Sequence, residues 1–188
     1  MVYRYGRVNR NQIIINQNTT IMKIELKSIK FSETLSEETN AFTANLYIDG
    51  KKVGYCKNTG QGGCTDYYGI EKHRSDIIVE AEAYCKTLPK VKFHDTEWEQ
   101  SLEGVIDQLL EDWLDVKETK KFERSMKTGI LVGVPNEMSH KKFAWKGKTL
   151  SDIPVDQLQM TVDSIKKKHC TGGAVILNTN LEALDVTV

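Results

Sequence analysis

The segment KNTGQGGCTDYYG, residues 57–69, has the residue types and spacing that come nearest to a binding site. It contains four glycines, a cysteine, two adjacent tyrosines and a single acid. Gly60, Gly62 and Gly63 could turn backbone N–H groups toward one point, and such a nest of donors binds anions. The residues expected to form this anion site are Lys57, Asn58, Gly60, Gly62, Gly63, Thr65 and Arg74.

This segment matches neither of the two common nucleotide-binding fingerprints. No Gly-Lys-Ser/Thr triplet ends it, and Thr65 stands where the dinucleotide fingerprint has its third glycine. The strand expected before it also belongs to an antiparallel hairpin rather than to a parallel βαβ unit. Two interpretations therefore stay open: a purely structural loop, or a loop that binds a small anionic ligand such as a nucleotide.

Cys64 and the four histidines are the candidates for covalent or metal chemistry. Cys64 lies near an expected helix start, where a thiolate is stabilised, but no histidine is near it in the sequence. The histidines are His73, His94, His140 and His169. They form no CxxC or HxxxH pattern with the cysteines, so we assign no catalytic residue, no metal ligand and no cofactor.

Charge is balanced over the whole chain but not along it. The chain has 26 basic and 26 acidic residues, so a basic field over the entire molecule that would capture nucleic acid is excluded. Residues 116–169 nevertheless hold twelve Lys/Arg and six Asp/Glu. A nucleic-acid site there would use Lys141, Lys142, Lys146 and Lys148 with the lysines of 117–127. Phe143 and Trp145 alternate with these lysines, a pattern that fits single-strand binding and equally fits two core side chains.

The opposite charge prevails between Asp95 and Asp115, where there are eight acids and no Lys or Arg. Glu103, Asp107 and Glu111 follow one another at helical i, i+4 spacing. Such a face could hold Mg²⁺, or it could simply be the solvated side of an amphipathic helix.

A hairpin is predicted at 42–55, because apolar and polar residues alternate on both sides of Asp49-Gly50. That pair favours a type I′ turn, in which both central residues have positive φ. The turn predicts pairs of Ile48 with Lys51, Leu46 with Val53 and Ala44 with Tyr55. Tyr55 would then lie on the core face and Cys56 on the opposite face.

The other elements follow from periodicity and from capping residues. We expect a strand at 23–31 with a bulge near Lys27 and Ser28, since its apolar residues change phase there. A helix should start at Ser75 and stop before Pro89, with Cys85 in the core. A second should start at Thr96, in a capping box with Glu99, and continue toward Gly129. Buried strands at 130–135 and 174–177, a half-exposed strand at 141–147 and a helix from 155 to a glycine stop at 172–173 complete the chain.

Composition indicates a globular protein, with 39% hydrophobic and 28% charged residues. No apolar run approaches the ~20 residues of a membrane helix. We predict one α+β domain over 22–188, with an antiparallel sheet packed against amphipathic helices and a βαβ-like portion from 130. Residues 1–21 have three arginines and no acid, which favours an upstream-translated leader or an arm that folds on a partner.

At GGCTDYYG, ILVGVPN and AVILNTNLEAL the chain resembles small uncharacterised proteins of Bacteroidota and their bacteriophages. The resemblance runs from about Met22 to the C-terminus. It implies a natural start at Met22 and a bacterial cytoplasm as the setting, and it implies no activity.

The function expected from the sequence is that of a non-catalytic binding protein, which would be a phage accessory protein in the setting that the resemblance implies. Its partner would be a host protein, a second copy of the chain or a small anionic ligand, engaged through the loop 57–69. The alternative is nucleic-acid binding through the basic 117–148 region, and a third hypothesis is a metal-dependent or thiol enzyme.

Overall fold

The structure is a computed structural model that describes residues 21–93, 96–137 and 139–188, and within these ranges it leaves the side chains of 72–75 and 93 undescribed. The strands are β1 (Ile24–Phe31), β2 (Phe42–Ile48), β3 (Lys51–Asn58), β4 (Asp66–Gly69), β5 (Val91–Phe93), β6 (Thr96–Trp98), β7 (Ile130–Gly133), β8 (His140–Phe143) and β9 (Val175–Ile176). The α-helices are α1 (Lys72–Thr87), α2 (Leu102–Thr128) and α3 (Val155–His169). All strand pairs are antiparallel, and the predicted α+β class is confirmed.

The chain groups into two compact units, Met1–Leu110 and Glu111–Val188. The single domain expected over 22–188 stays a prediction. The leader expected at 1–21 lies outside the described residues except for its last residue.

The first unit is built on a four-stranded sheet in the order β1-β2-β3-β4. Asp49 and Gly50 join β2 to β3 with φ of 48° and 78°, so the predicted type I′ geometry is confirmed. The bulge predicted in β1 is also confirmed, since the pairing with β2 shifts between Lys27 and Lys30 and Ser28 has φ 54°.

The predicted register of the hairpin is correct at Ile48 and wrong from Leu46 onward, since Leu46 pairs with Gly54 instead of Val53. Ile48 pairs with Lys51, but the register then shifts by one residue, so that Ala44 pairs with Cys56 instead of Tyr55. Val53 is the extra residue of this second bulge, and a one-residue shift moves every following side chain to the other face. Cys56 is therefore completely buried, and Tyr55 is 47% exposed on the opposite face.

A glycine explains why this register suits β3. A Cβ atom at Gly54 would collide with the carbonyl oxygen of Tyr68 in β4 and would touch Ile78 of α1. The shift places the glycine of β3 at a point where the neighbouring strand leaves no room for a Cβ atom.

Within the first unit α1 packs on β3 and β4 with Ile78, Ala81 and Cys85 buried, so the predicted core position of Cys85 is confirmed. It begins at Lys72, three residues before the predicted start at Ser75.

The predicted start of the second helix at Thr96 is wrong. Thr96–Trp98 forms β6, which pairs with β5, and Trp98 is 61% exposed. The helix begins after Ser101, whose hydroxyl accepts the N–H of Gly104 at 3.0 Å. Ser101 caps the helix because its side chain satisfies a donor that has no partner inside the first turn.

The second unit has a three-stranded sheet in the order β8-β7-β9, with α3 between β8 and β9 in the chain. β8 and β9 each pair antiparallel with the central β7, so they run parallel to each other, and α3 connects them. The βαβ-like portion expected from 130 is therefore present as a split β-α-β unit with β7 between its two parallel strands. Its core includes Ile130, Val132, Leu158, Val162 and Ile165, and Phe143 and Trp145 pack against that core.

Asn178 joins the end of α2 to β7. Its Nδ2 donates to the carbonyls of Met126 and Gly129 at 3.1 and 3.0 Å, and its Oδ1 accepts the N–H of Leu131 at 2.6 Å. The side chain is buried, so these bonds replace the water that the backbone groups would otherwise need.

Candidate functional site

The glycine-rich loop between β3 and β4 is organised around the side chain of Asn58. Its Oδ1 accepts the N–H of Gly60 at 2.8 Å and the hydroxyl of Thr39 at 2.9 Å. Its Nδ2 donates to the carbonyl of Gly63 at 2.9 Å and to Oγ1 of Thr65 at 3.2 Å. One amide therefore holds both arms of the loop and a neighbouring loop, in the way that asparagine side chains commonly stabilise turns.

Gly60 is the buried corner of this loop. It has φ 89°, and a Cβ atom there would collide with the carbonyl oxygen of Leu35. Its own carbonyl accepts the N–H groups of Glu37, Glu38 and Thr39 at 2.9, 2.9 and 3.3 Å. The glycine at this position is required by close packing and by the left-handed backbone.

Several backbone donors of the loop already have acceptors inside the protein. The N–H of Gly60 donates to Asn58, that of Gly62 to the hydroxyl of Thr39 at 3.3 Å, and that of Thr65 to Oε1 of Glu103 at 2.9 Å. An anion held by the loop would have to compete with these acceptors, so the structure favours the purely structural interpretation of these N–H groups. The anion site itself stays a prediction. The side chain of Arg74, one of its two proposed cations with Lys57, lies outside the described residues.

Two carboxylates of α2 anchor the loop at Thr65, which is 3% exposed. Besides the bond from its N–H to Glu103, its hydroxyl donates to Oδ1 of Asp107 at 2.6 Å. Burial raises the pKa of Asp107, and the charge of Glu103 adds to the rise. Glu103 and Asp107, the i, i+4 pair expected to be solvated or to hold Mg²⁺, thus both accept hydrogen bonds from Thr65 of the loop.

The electrostatics around the cysteines disfavour thiolates. The negative charge of Glu103 raises the pKa of the exposed Cys64, and Glu103 also accepts a hydrogen bond from its thiol. Burial raises the pKa of Cys56 to about 12 and that of Cys85 to about 11. A nucleophilic cysteine needs the opposite shift.

The part of the chain that the structure describes contains no cluster of three His, Cys, Asp or Glu side chains that could hold a metal. His94 and the side chain of His73 lie outside that part.

The open face of the four-stranded sheet is a surface that the sequence did not predict. Residues that pair directly across neighbouring strands point to the same side of a sheet. The pairing gives three rows on the side away from buried Cys56, and we call these residues the open face: Lys27, Asn45, Tyr55 and Tyr68; Lys30, Thr43, Lys57 and Asp66; Glu25, Tyr47 and Lys52.

Two tyrosines form the aromatic centre of the open face. The rings of Tyr55 and Tyr68 stack with centroids 5.1 Å apart and planes at 26°. They are 47% and 41% exposed. Nζ of Lys57 lies 5.7 Å from the centroid of the Tyr68 ring. The two rings stack on each other, and both side chains still present surface to solvent.

A second aromatic and cationic pair lies on the first two strands. Nζ of Lys27 lies 4.3 Å from the centroid of the Tyr47 ring, which is a cation–π distance. Glu25, in the same row as Tyr47, pairs with Lys23 at 2.9 Å and with Lys27 at 3.8 Å. Its charge is therefore largely matched by lysines.

The basic residues expected to bind nucleic acid are exposed in the second unit. Lys141 and Lys142 lie on β8, and Lys146 and Lys148 follow it. Nζ of Lys142 donates to the hydroxyl of Thr128 at 2.7 Å. Phe143 and Trp145 are partly buried and pack against the core, as the second interpretation of their alternation expects.

Comparison of the chain with models of known families, with curated proteins and with solved structures finds no match. The resemblance to proteins of Bacteroidota and their phages stays a prediction. None of the helices within 21–93, 96–137 and 139–188 combines the length and apolar character that crossing a bilayer requires.

The open face was not predictable from the expected register, which placed Tyr55 in the core. Tyr68 belonged to the predicted ligand loop, but the predicted register gave it no stacking partner. The available signal was Gly54, since a glycine inside a strand marks a bulge or a close backbone approach. A bulge at that point reverses the face of every residue that follows it in β3.

Proposed function

We propose that this protein is a non-catalytic binding protein whose open face binds an anionic ligand with a planar ring, as a nucleotide has. The observation that carries the proposal is the exposed stack of Tyr55 and Tyr68 beside the ammonium of Lys57. A planar base can stack on tyrosine with a contribution of about 1–3 kcal/mol, and a lysine beside it can pair with phosphate.

The predicted segment 57–69 keeps a part in this proposal. Lys57 opens it, and Tyr68 lies near its end. The glycines between them hold the loop closed through Asn58 and Thr65, so that β3 and β4 present the two tyrosines side by side. In this proposal the loop positions the binding strands, and side chains rather than backbone N–H groups contact the ligand.

The test is a titration with adenosine and guanosine monophosphates, followed by amide chemical shifts in NMR spectra. We expect shifts centred on Tyr55, Lys57 and Tyr68. Tyr68→Ala should weaken binding about tenfold, the equivalent of ~1.4 kcal/mol of lost stacking. The matched control is Tyr68→Phe, which keeps the ring and should bind as the wild type does. The proposal fails if the wild type shows no shifts at millimolar nucleotide, or if Tyr68→Ala binds unchanged.

A further inference from the structure

We infer that the natural ligand of the open face is single-stranded nucleic acid, held across all four strands with little base preference. This inference rests on the proposed function, and it names the ligand class of the same surface.

The first argument is the extent of the surface. Lys27, Asn45, Tyr55 and Tyr68 form one row from β1 to β4. Neighbouring strands lie ~4.8 Å apart, so three intervals make the row roughly 14 Å long. A mononucleotide on the Tyr55–Tyr68 pair would leave Tyr47 and Lys27 without ligand contact. A chain of nucleotides would reach both aromatic groups.

The second argument is charge. The open face has four lysines, at 27, 30, 52 and 57, and two acids, Glu25 and Asp66. Glu25 is already paired with Lys23, which lies outside the open face, at 2.9 Å and with Lys27 at 3.8 Å. The chain as a whole has formal net charge zero, and a whole-molecule field therefore does not attract a polyphosphate backbone. The local excess of positive charge on the open face supplies the complementarity that such a backbone requires.

The third argument is the accessibility of bases. In a duplex the faces of the bases stack on one another and cannot stack on tyrosine, whereas unpaired bases can. Tyrosine stacking accepts every base, because each has a π face, and it therefore predicts weak sequence preference. Asn45, which lies between Lys27 and Tyr55 in the row, is placed to hydrogen bond to base edges.

The experiment is fluorescence anisotropy with labelled single strands of about ten nucleotides, within the range that one sheet-based domain covers. Oligo-dT, oligo-U and the matching duplex are compared with a mononucleotide over a series of salt concentrations. We expect the single strands to bind more tightly than both the mononucleotide and the duplex, and log K to fall linearly with log salt.

Variants locate the site. Tyr55→Ala should cost about tenfold in affinity for the single strand, and Tyr55→Phe should cost little. Lys27→Gln with Lys30→Gln should reduce the magnitude of the salt slope by about 1.4, since each phosphate contact contributes ~0.7 on a single strand. The matched control is Lys141→Gln with Lys146→Gln, which changes the same number of exposed lysines on the second unit and should leave the slope unchanged.

Several results would overturn the inference while the proposed function stands. One is a mononucleotide that binds as tightly as the single strand, with no effect of the Lys27 and Lys30 changes. Another is equal affinity for single strand and duplex. Loss of binding in the Lys141 and Lys146 variant alone would assign nucleic acid to the second unit. If neither mononucleotide nor single strand binds, the proposed function fails together with the inference, and a protein partner becomes the occupant to test.

Discussion

The hydroxyl of Thr65 donates to Oδ1 of Asp107 at 2.6 Å, while the backbone N–H of the same threonine donates to Glu103 at 2.9 Å. One buried residue of a glycine-rich loop is thus held by two carboxylates one helical turn apart on α2. The loop between β3 and β4 is therefore anchored to the acidic face of α2. The sequence pattern alone allowed that face to be either solvated or metal-binding.

Thr65→Val should destabilise the protein by about 1–3 kcal/mol, because it leaves the Asp107 carboxylate without its hydroxyl donor at nearly unchanged volume. The midpoint of urea unfolding measures the effect. Thr65→Ser keeps the hydroxyl and should lose much less stability. Equal midpoints for Thr65→Val and the wild type would show that the bond has no net value.

Asp107→Asn should stabilise the protein at pH 7 relative to the wild type. Burial raises the pKa of Asp107 in the folded state, so its ionised form opposes folding above that pKa. As pH falls through the raised pKa toward the ordinary value of 3.8, the wild type takes up the proton and the difference should narrow. Urea midpoints across this pH range test the prediction. Asp115→Asn, on the exposed side of the same helix, should show no such convergence.

Cys64 should react slowly with iodoacetamide near neutral pH although it is exposed, since Glu103 raises its pKa. Glu103→Gln keeps an acceptor for the N–H of Thr65 and removes the charge, so alkylation should become severalfold faster. Peptide mass spectrometry over time gives the rate at Cys64 separately from the rates at Cys56 and Cys85, which are buried. An unchanged rate at Cys64 in the variant would mean that Glu103 does not control the thiol.

Gly60→Ala should destabilise the protein by at least about 1–2 kcal/mol, the cost of a left-handed alanine, and the collision with the carbonyl of Leu35 adds to it. Gly63→Ala is the matched control, because a Cβ atom there meets nothing within 4 Å. The midpoints of thermal or urea unfolding of the two variants are compared. A loss of stability in Gly60→Ala alone shows that close packing at Gly60, rather than the flexibility of the loop in general, is responsible. Similar stability in both would contradict the structural role of Gly60.

Features that depend on neighbouring residues alone were predictable. Asp49-Gly50 forms its turn because both residues adopt positive φ there. α3 spans Val155–His169 because its apolar residues repeat at helical spacing, and the chain leaves the helix through Gly172 and Gly173, which have φ 63° and 88°. The class of the fold follows from such elements.

Features that depend on residues distant in the sequence could not be predicted. Thr96-Glu99 has the pattern of a capping box, yet Thr96–Trp98 pairs with β5, and strand pairing outweighs that local preference. The contacts of Thr65 with Glu103 and Asp107 join residues 38 and 42 positions apart, and no spacing rule predicts them.

The β2–β3 hairpin shows most clearly the difference between what local sequence and what tertiary contacts determine. By itself the sequence determined that β2 turns back into β3 at Asp49-Gly50, because the φ preferences of two adjacent residues suffice for that. The tertiary structure decided which face Tyr55 occupies. β4 and α1 both approach Gly54 closely, a bulge at Val53 places this glycine there, and the one-residue shift puts Cys56 in the core and Tyr55 beside Tyr68.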